Sequence, residues 1–144
     1  DEELAIAMGE QYKITILRLK KILPAAKWEF LKVSQLTTHV LDTSVGKTGK
    51  DICIRLQRQV NGNWQHMALG ITNGDGRIPD LLPPSYILPA GAYQLIFDTQ
   101  DYFDRMNQIG FYPEVTIQFQ IVDSSHYHVP LLINPYGYST YRGS

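Results

Sequence analysis

The sequence predicts an all-β domain, a sandwich or barrel of short strands, with an amphipathic helix ahead of it. Three observations carry that expectation. From Leu36 onward the apolar residues mostly recur with a period of two, turn signals separate the runs, and the longest stretch of helical period lies before the first strand.

Taken in order, residues 3 to 23 place Ala5, Met8, Tyr12, Ile16, Leu19 and Leu23 three and four apart, the stripe of an amphipathic helix, and Pro24 stops it. Residues 25 to 35 have mixed character and read as a connector, with Trp28, Phe30 and Leu31 free to pack on a neighbour. Strands are expected near 36–42, 51–60, 63–72, 91–98, 114–122, 126–133 and 136–140. In Glu114-Val115-Thr116-Ile117-Gln118-Phe119-Gln120-Ile121 the alternation has no fault, as a strand with one wet face requires. Ile52, Ile54 and Leu56 alternate likewise with Cys53, Arg55 and Gln57. Asn61-Gly62-Asn63, Asn73-Gly74-Asp75-Gly76, Pro83-Pro84 and Pro89-Ala90-Gly91 mark the turns. Within 98–108, Tyr102, Phe103 and Met106 sit at helical spacing and predict one short helix. The chain thus divides into a helical segment (1–24), a connector (25–35) and a β domain (36–144).

A length of 144 residues, 44% of them hydrophobic, suits one packed core with an appendage. The 13 basic and 14 acidic residues, without a run of one sign, give no reason to expect nucleic acid or a membrane surface as partner. A single cysteine, Cys53, allows no intramolecular disulfide and favours a reducing compartment; mid-strand, it reads as a core or interface residue rather than a nucleophile. No apolar run approaches the length of a membrane span, and Asp1, Glu2, Glu3, Glu10, Lys13 and Arg18 would interrupt a signal-peptide core, so a soluble chain is expected. The first residue, Asp1, suggests processing or excision from something longer.

The candidate chemistry is carried by histidines and one arginine. If Tyr127, Val129 and Leu131 face the core, His126 and His128 face outward; if Val40 faces the core, His39 faces outward as well. An outward histidine usually just meets water, and His66, beside a turn, reads that way. Arg77 closes a turn whose two glycines permit a tight connection, a rigid mount from which a guanidinium can be aimed at a carbonyl or anion, although a turn arginine is usually solvated. His126 and His128 form an i, i+2 pair that could chelate, but no carboxylate or thiolate completes a recognisable metal set. No nucleophile elbow, phosphate loop or dinucleotide fingerprint occurs.

Three blocks resemble the 5-hydroxyisourate hydrolases of the transthyretin-like family. They are Leu36-Thr37-Thr38-His39-Val40-Leu41-Asp42, Thr72-Asn73-Gly74-Asp75-Gly76-Arg77, and a C-terminal block. The last runs His126-Tyr127-His128-Val129-Pro130-Leu131-Leu132 and closes on Pro135-Tyr136-Gly137-Tyr138-Ser139-Thr140-Tyr141-Arg142-Gly143-Ser144, like family members that end in Tyr-Arg-Gly-Ser. The resemblance covers residues 36 to 144. It implies His39, Arg77 and His128 as catalytic residues, with Tyr141 and Ser139 in the same pocket, and no metal or cofactor. It implies an eight-stranded sandwich of two four-stranded sheets with one short helix, assembled as a homotetramer with sites between facing dimers. The implied reaction is hydrolytic ring opening of 5-hydroxyisourate to 2-oxo-4-hydroxy-4-carboxy-5-ureidoimidazoline in urate breakdown, in the cytosol or the peroxisome. The alternative is a non-catalytic transthyretin-like carrier or scaffold, though transthyretin itself lacks this His, Arg, His set.

The chain departs from the family at Thr48-Gly49, where Pro-Ala is common, and at Ile133-Asn134, where Leu-Ser is usual. Lys13-Ile14-Thr15-Ile16-Leu17-Arg18-Leu19 resembles the last helix of 2-oxo-4-hydroxy-4-carboxy-5-ureidoimidazoline decarboxylase, so a fusion to that enzyme would account for the extra helix.

Overall fold

Two four-stranded sheets face each other in the computed structural model, which describes Arg18, Lys21, Ile22 and residues 34–144. The helix expected over 3–23 and most of the connector, and with them the fusion reading, lie outside the described residues, apart from Arg18, Lys21 and Ile22, which are helical and exposed. In chain order the elements are β1 (Leu36–Asp42), β2 (Lys47–Thr48), β3 (Cys53–Val60), β4 (Asn63–Ile71), β5 (Gly91–Phe97), α1 (Thr99–Arg105), β6 (Val115–Ile121), β7 (Tyr127–Asn134) and β8 (Gly137–Thr140). One sheet has the order β2-β1-β7-β8 and the other β4-β3-β5-β6. Every pairing is antiparallel except that of β1 with β7. That parallel pair brings the first and last blocks of the chain side by side, with Thr37 opposite His128 and His39 opposite Pro130.

Of the expected period-two runs, β1, β3 and β6 bury one face, whereas β5 is buried on both faces from Tyr93 to Phe97. Leu36, Val40, Leu131 and Ile133 from the first sheet meet Ile54, Leu56, Leu95 and Phe97 from the second, all fully or almost fully buried. Each such side chain contributes roughly 1.5–3 kcal/mol on leaving water. Several local features escaped the periodicity. β2 is two residues long, too short to show a period. β3 starts at Cys53 rather than at 51, because Asp51 takes a left-handed conformation (φ 59°). A bulge between Leu56 and Gln57 shifts the register against β4. The helix is shorter than the expected 98–108: Asp98 caps it, and Asn107, at φ 55°, turns the chain away after Met106. Ser34 and Gln35, read from sequence as the end of a connector, pack into the sandwich. The Gln35 side chain donates to the carbonyls of Asp123 and Ser125 and accepts from Leu88 N–H.

The inward face of β1 is half polar, and each polar group there is satisfied. Thr38 donates its hydroxyl to the Val129 carbonyl at 2.7 Å. Asp42, only 1% exposed, accepts from Tyr102 Oη at 2.7 Å and from the backbone and hydroxyl of Ser44. Burial, and then the Asp42 carboxyl, push the Tyr102 phenol above its ordinary range, so it stays a donor. This bond ties α1 to β1. Tyr102→Phe leaves a buried acceptor short of a partner and is expected to cost about 1–3 kcal/mol. Urea unfolding monitored by circular dichroism would show this as a lower midpoint at unchanged slope; an unchanged midpoint would mean that the bond contributes nothing.

Candidate active site

Alternation along β1 and β7 decides which side chains reach the outer face of the first sheet. Leu36, Thr38, Val40 and Asp42 point inward, so Thr37, His39 and Leu41 point out; Tyr127, Val129, Leu131 and Ile133 point inward, so His128 and Leu132 point out. The parallel register then puts Thr37 beside His128, and His39 two residues further along the same face. The expected outward placement of both histidines matches this arrangement, and His126 is exposed just before β7.

Arg77 arrives from the turn after β4, and the turn's own hydrogen bonds fix its aim. Asn73 Oδ1 accepts from the backbone N–H groups of Asp75 (2.9 Å) and Arg77 (3.1 Å), and Asn73 N–H donates to the Arg77 carbonyl at 2.8 Å. Val40 N–H donates to the Gly76 carbonyl at 2.9 Å, so the turn docks on β1 and Arg77 pairs with His39. Gly76 is at φ 74°, and a Cβ there would run into the Val40 carbonyl oxygen. Only glycine lets the turn come this close.

His128 is held from two sides. Its Nδ1 is 2.8 Å from Thr37 Oγ1, and its carbonyl accepts from Gly143 N–H at 2.8 Å. A Cβ on Gly143 would lie 2.5 Å from His128 Cδ2, so the tail lies directly against the ring. Arg142 anchors that tail with its guanidinium 4.2 Å over the Tyr127 ring. Ser139 stands opposite Leu132 on the outward-facing side of β8, and Tyr141, 60% exposed, follows it beyond the strand end. Among the described residues neither hydrogen-bonds to a histidine or to Arg77. His66 and Cys53 belong to the other sheet, on β4 and at the start of β3.

The electrostatics of the cluster favour neutral imidazoles. Partial burial, and then the Arg77 guanidinium, lower the pKa of His39 below the ordinary 6.5, with the Asp75 carbonyl opposing. His128 is lowered by burial, then by Arg77, His126 and His39, against the Thr37 carbonyl. Two uncharged bases therefore stand beside a permanent cation at neutral pH. Such a set can take a proton from water and hold an anionic oxygen at once. The His126 and His128 rings are nearly parallel, 6.4 Å between centroids. Among the described residues no group of three or more His, Cys, Asp or Glu could hold a metal ion.

Of the five residues singled out by sequence, His39, Arg77 and His128 come together, while Ser139 and Tyr141 share their sheet face from a neighbouring strand. Sequence reasoning missed Thr37 and Gly143. Thr37 has the same parity as His39 within one quoted block, which was a usable signal; the contact between Gly143 and His128 had none, since it depends on the tail folding back.

Residues 36–143 match the family model described as the HIUase/Transthyretin family. The 5-hydroxyisourate hydrolase of Mus musculus is 46% identical over 114 residues, covering 77% of this chain and 96% of the relative. Among solved structures, the 5-hydroxyisourate hydrolase of Klebsiella pneumoniae superposes with a TM-score of 0.67 at 38% identity, covering 76% of this chain and 98% of that one. Sea bream transthyretin in complex with thyroxine gives 0.72 at 26% identity, covering 76% and 95%.

Proposed function

The chain belongs to the HIUase/Transthyretin family, and from that membership and the cluster on the outer face of the first sheet we propose that it hydrolyses 5-hydroxyisourate. Ring opening gives 2-oxo-4-hydroxy-4-carboxy-5-ureidoimidazoline, a step of urate breakdown. The observation that carries the reading is the placement of Arg77 beside two imidazoles held toward their neutral forms. A water bound between them attacks a ring carbonyl. One of His39 and His128 accepts its proton, and the other orients it or donates to the leaving nitrogen. Arg77 polarises the carbonyl and stabilises the oxyanion without losing its own proton. Tyr141 and Ser139 hydrogen-bond the ring or the water. The residues supply base, acid and electrophile, so the scheme uses no metal or cofactor.

A thyroxine-type carrier would suit an apolar channel, whereas this face presents imidazoles and a guanidinium. The two readings separate in one assay. Freshly made 5-hydroxyisourate should lose its ultraviolet absorbance much faster with the protein than by spontaneous decay; equal rates would remove the hydrolase reading.

The same reading includes a homotetramer. His39 and His128 are half-buried and Tyr141 exposed on an open sheet face, while two concavities among the described residues lie elsewhere, around Thr99, Phe103 and Tyr138 and around Gly91 and Gln120. A second copy of the face supplies the walls that keep bulk water from the carbonyl. A cytosolic or peroxisomal location goes with it, supported by a lone cysteine that allows no intramolecular disulfide.

The lowered pKa values set the pH dependence. A histidine whose folded pKa lies below its unfolded one favours the folded state above the unfolded value and weakens it as pH falls through 6.5. The same protonation removes the base, so kcat/KM should fall on the acid side only below pH 6.5. In Arg77→Gln the titrations of His39 and His128, followed by NMR, should move upward. Titrations that stay put would show that the guanidinium does not act on these rings.

A further inference from the structure

One hydroxyl stands between two imidazoles on this face. Thr37 Oγ1 is 2.8 Å from His128 Nδ1 and 3.0 Å from His126 Nε2. A hydroxyl has a single hydrogen to give. Its oxygen can accept from both nitrogens but donate to only one, so the two contacts exclude a pair of bare nitrogens, and two of the arrangements they allow have one nitrogen protonated and the other bare. In one arrangement His128 donates from Nδ1–H to Thr37, and Thr37 donates to a bare His126 Nε2. In the other, His126 donates from Nε2–H, Thr37 donates to a bare His128 Nδ1, and His128 carries its hydrogen on Nε2.

We propose that Thr37 and His126 form a reversible proton relay that lets His128 act as base and then as acid while it stays neutral. This rests on the hydrolase reading above. The resting enzyme has the first arrangement, with His128 Nε2 bare. As the water oxygen bonds to the carbonyl carbon, its O–H bond breaks and the proton goes to His128 Nε2. His128 Nδ1 passes its proton to Thr37 Oγ1, and Thr37 passes its own to His126 Nε2. When the ring C–N bond breaks, His128 Nε2 gives its proton to the leaving nitrogen and the relay runs backward. The net transfer is one proton from water to nitrogen, and every protein group returns to its starting state.

The surroundings favour this route. A cation on His128 would face the Arg77 guanidinium and the His39 and His126 rings, with the Gly143 backbone and Thr37 also lying against it. His126 is exposed at the end of the chain of bonds, where water can solvate the charge. Thr37 and His126 are positioning residues, since the reaction reaches them only through His128.

Thr37→Val and Thr37→Ser test the relay. The Val variant should lose about 100-fold in kcat with KM little changed, and Ser should restore most of it. The proton inventory in mixed light and heavy water should be bowed in the wild type, with several protons in flight, and straight in Thr37→Val. His126→Gln, at an exposed position, should show the same loss and the same straight inventory even if Thr37→Val fails to fold. Nitrogen NMR of the resting wild type should find His128 hydrogen on Nδ1. Full turnover in Thr37→Val, a lower turnover with an inventory still bowed, or His128 hydrogen on Nε2 in the resting enzyme would each overturn the relay. Wild-type turnover no faster than spontaneous decay would count against the hydrolase reading, and the NMR result would still decide the hydrogen-bond chain.

Discussion

His128→Ala is expected to lose about 100- to 10,000-fold in turnover of 5-hydroxyisourate, the range of a general acid-base group, while its fold survives. The side chain lies on the outer face and fills no part of the core, so its removal leaves no cavity among the buried residues. His39→Ala should behave alike. Arg77→Ala should cost about 100- to 1,000-fold, as loss of an oxyanion donor does, with kcat affected along with KM. Circular dichroism and thermal melting of the three variants should resemble the wild type. Near-normal turnover in His128→Ala, after spontaneous decay is subtracted, would remove that residue from the mechanism; a collapsed fold would show that the face is structural.

Activity should also vanish when the outer face is prevented from meeting its copy. Leu41 and Leu132 lie opposite each other in the β1–β7 register, both outward and half-buried beside the histidines. Leu132→Glu places a charge on this face beside Ser139, next to the Tyr138–Tyr141 segment expected at the centre of the contact, where burying it unpaired costs several kcal/mol, more than most such contacts can lose. Light scattering should find dimers or monomers, and turnover per subunit should fall with them. Tyr141→Glu should do the same, but it also removes a proposed substrate contact, so Leu132→Glu is the cleaner test. A fully active monomer at assay concentration would show that one sandwich suffices as a catalytic unit.

Much of this molecule is legible from local pattern, because a strand with one buried face has to alternate. Val115 to Ile121 and Leu36 to Asp42 announce both their state and their inward residues in that way. The same parity turned His39 and His128 outward before any contact was known. Elements without a period stayed invisible: the two-residue β2, the bulge at Leu56/Gln57, and the helix end set by the left-handed Asn107. Polar residues on a buried face were equally hard to see, since Asp42 and Thr38 look like solvent positions until Tyr102 and the Val129 carbonyl are known to meet them.

By itself the sequence determined the β class, the inward and outward sets along each long strand, and the residue types able to run a hydrolysis. Only the tertiary structure decided that these residues share one place. His39 and His128 are 89 positions apart, and the register of a parallel pair is set by the packing of whole sheets rather than by either strand. Arg77 joins them through backbone pairing that Gly76 makes possible, and Gly143 reaches His128 only because the tail folds back along β7. Local chemistry states what each side chain can do, whereas proximity depends on long-range contacts that no short window of sequence contains.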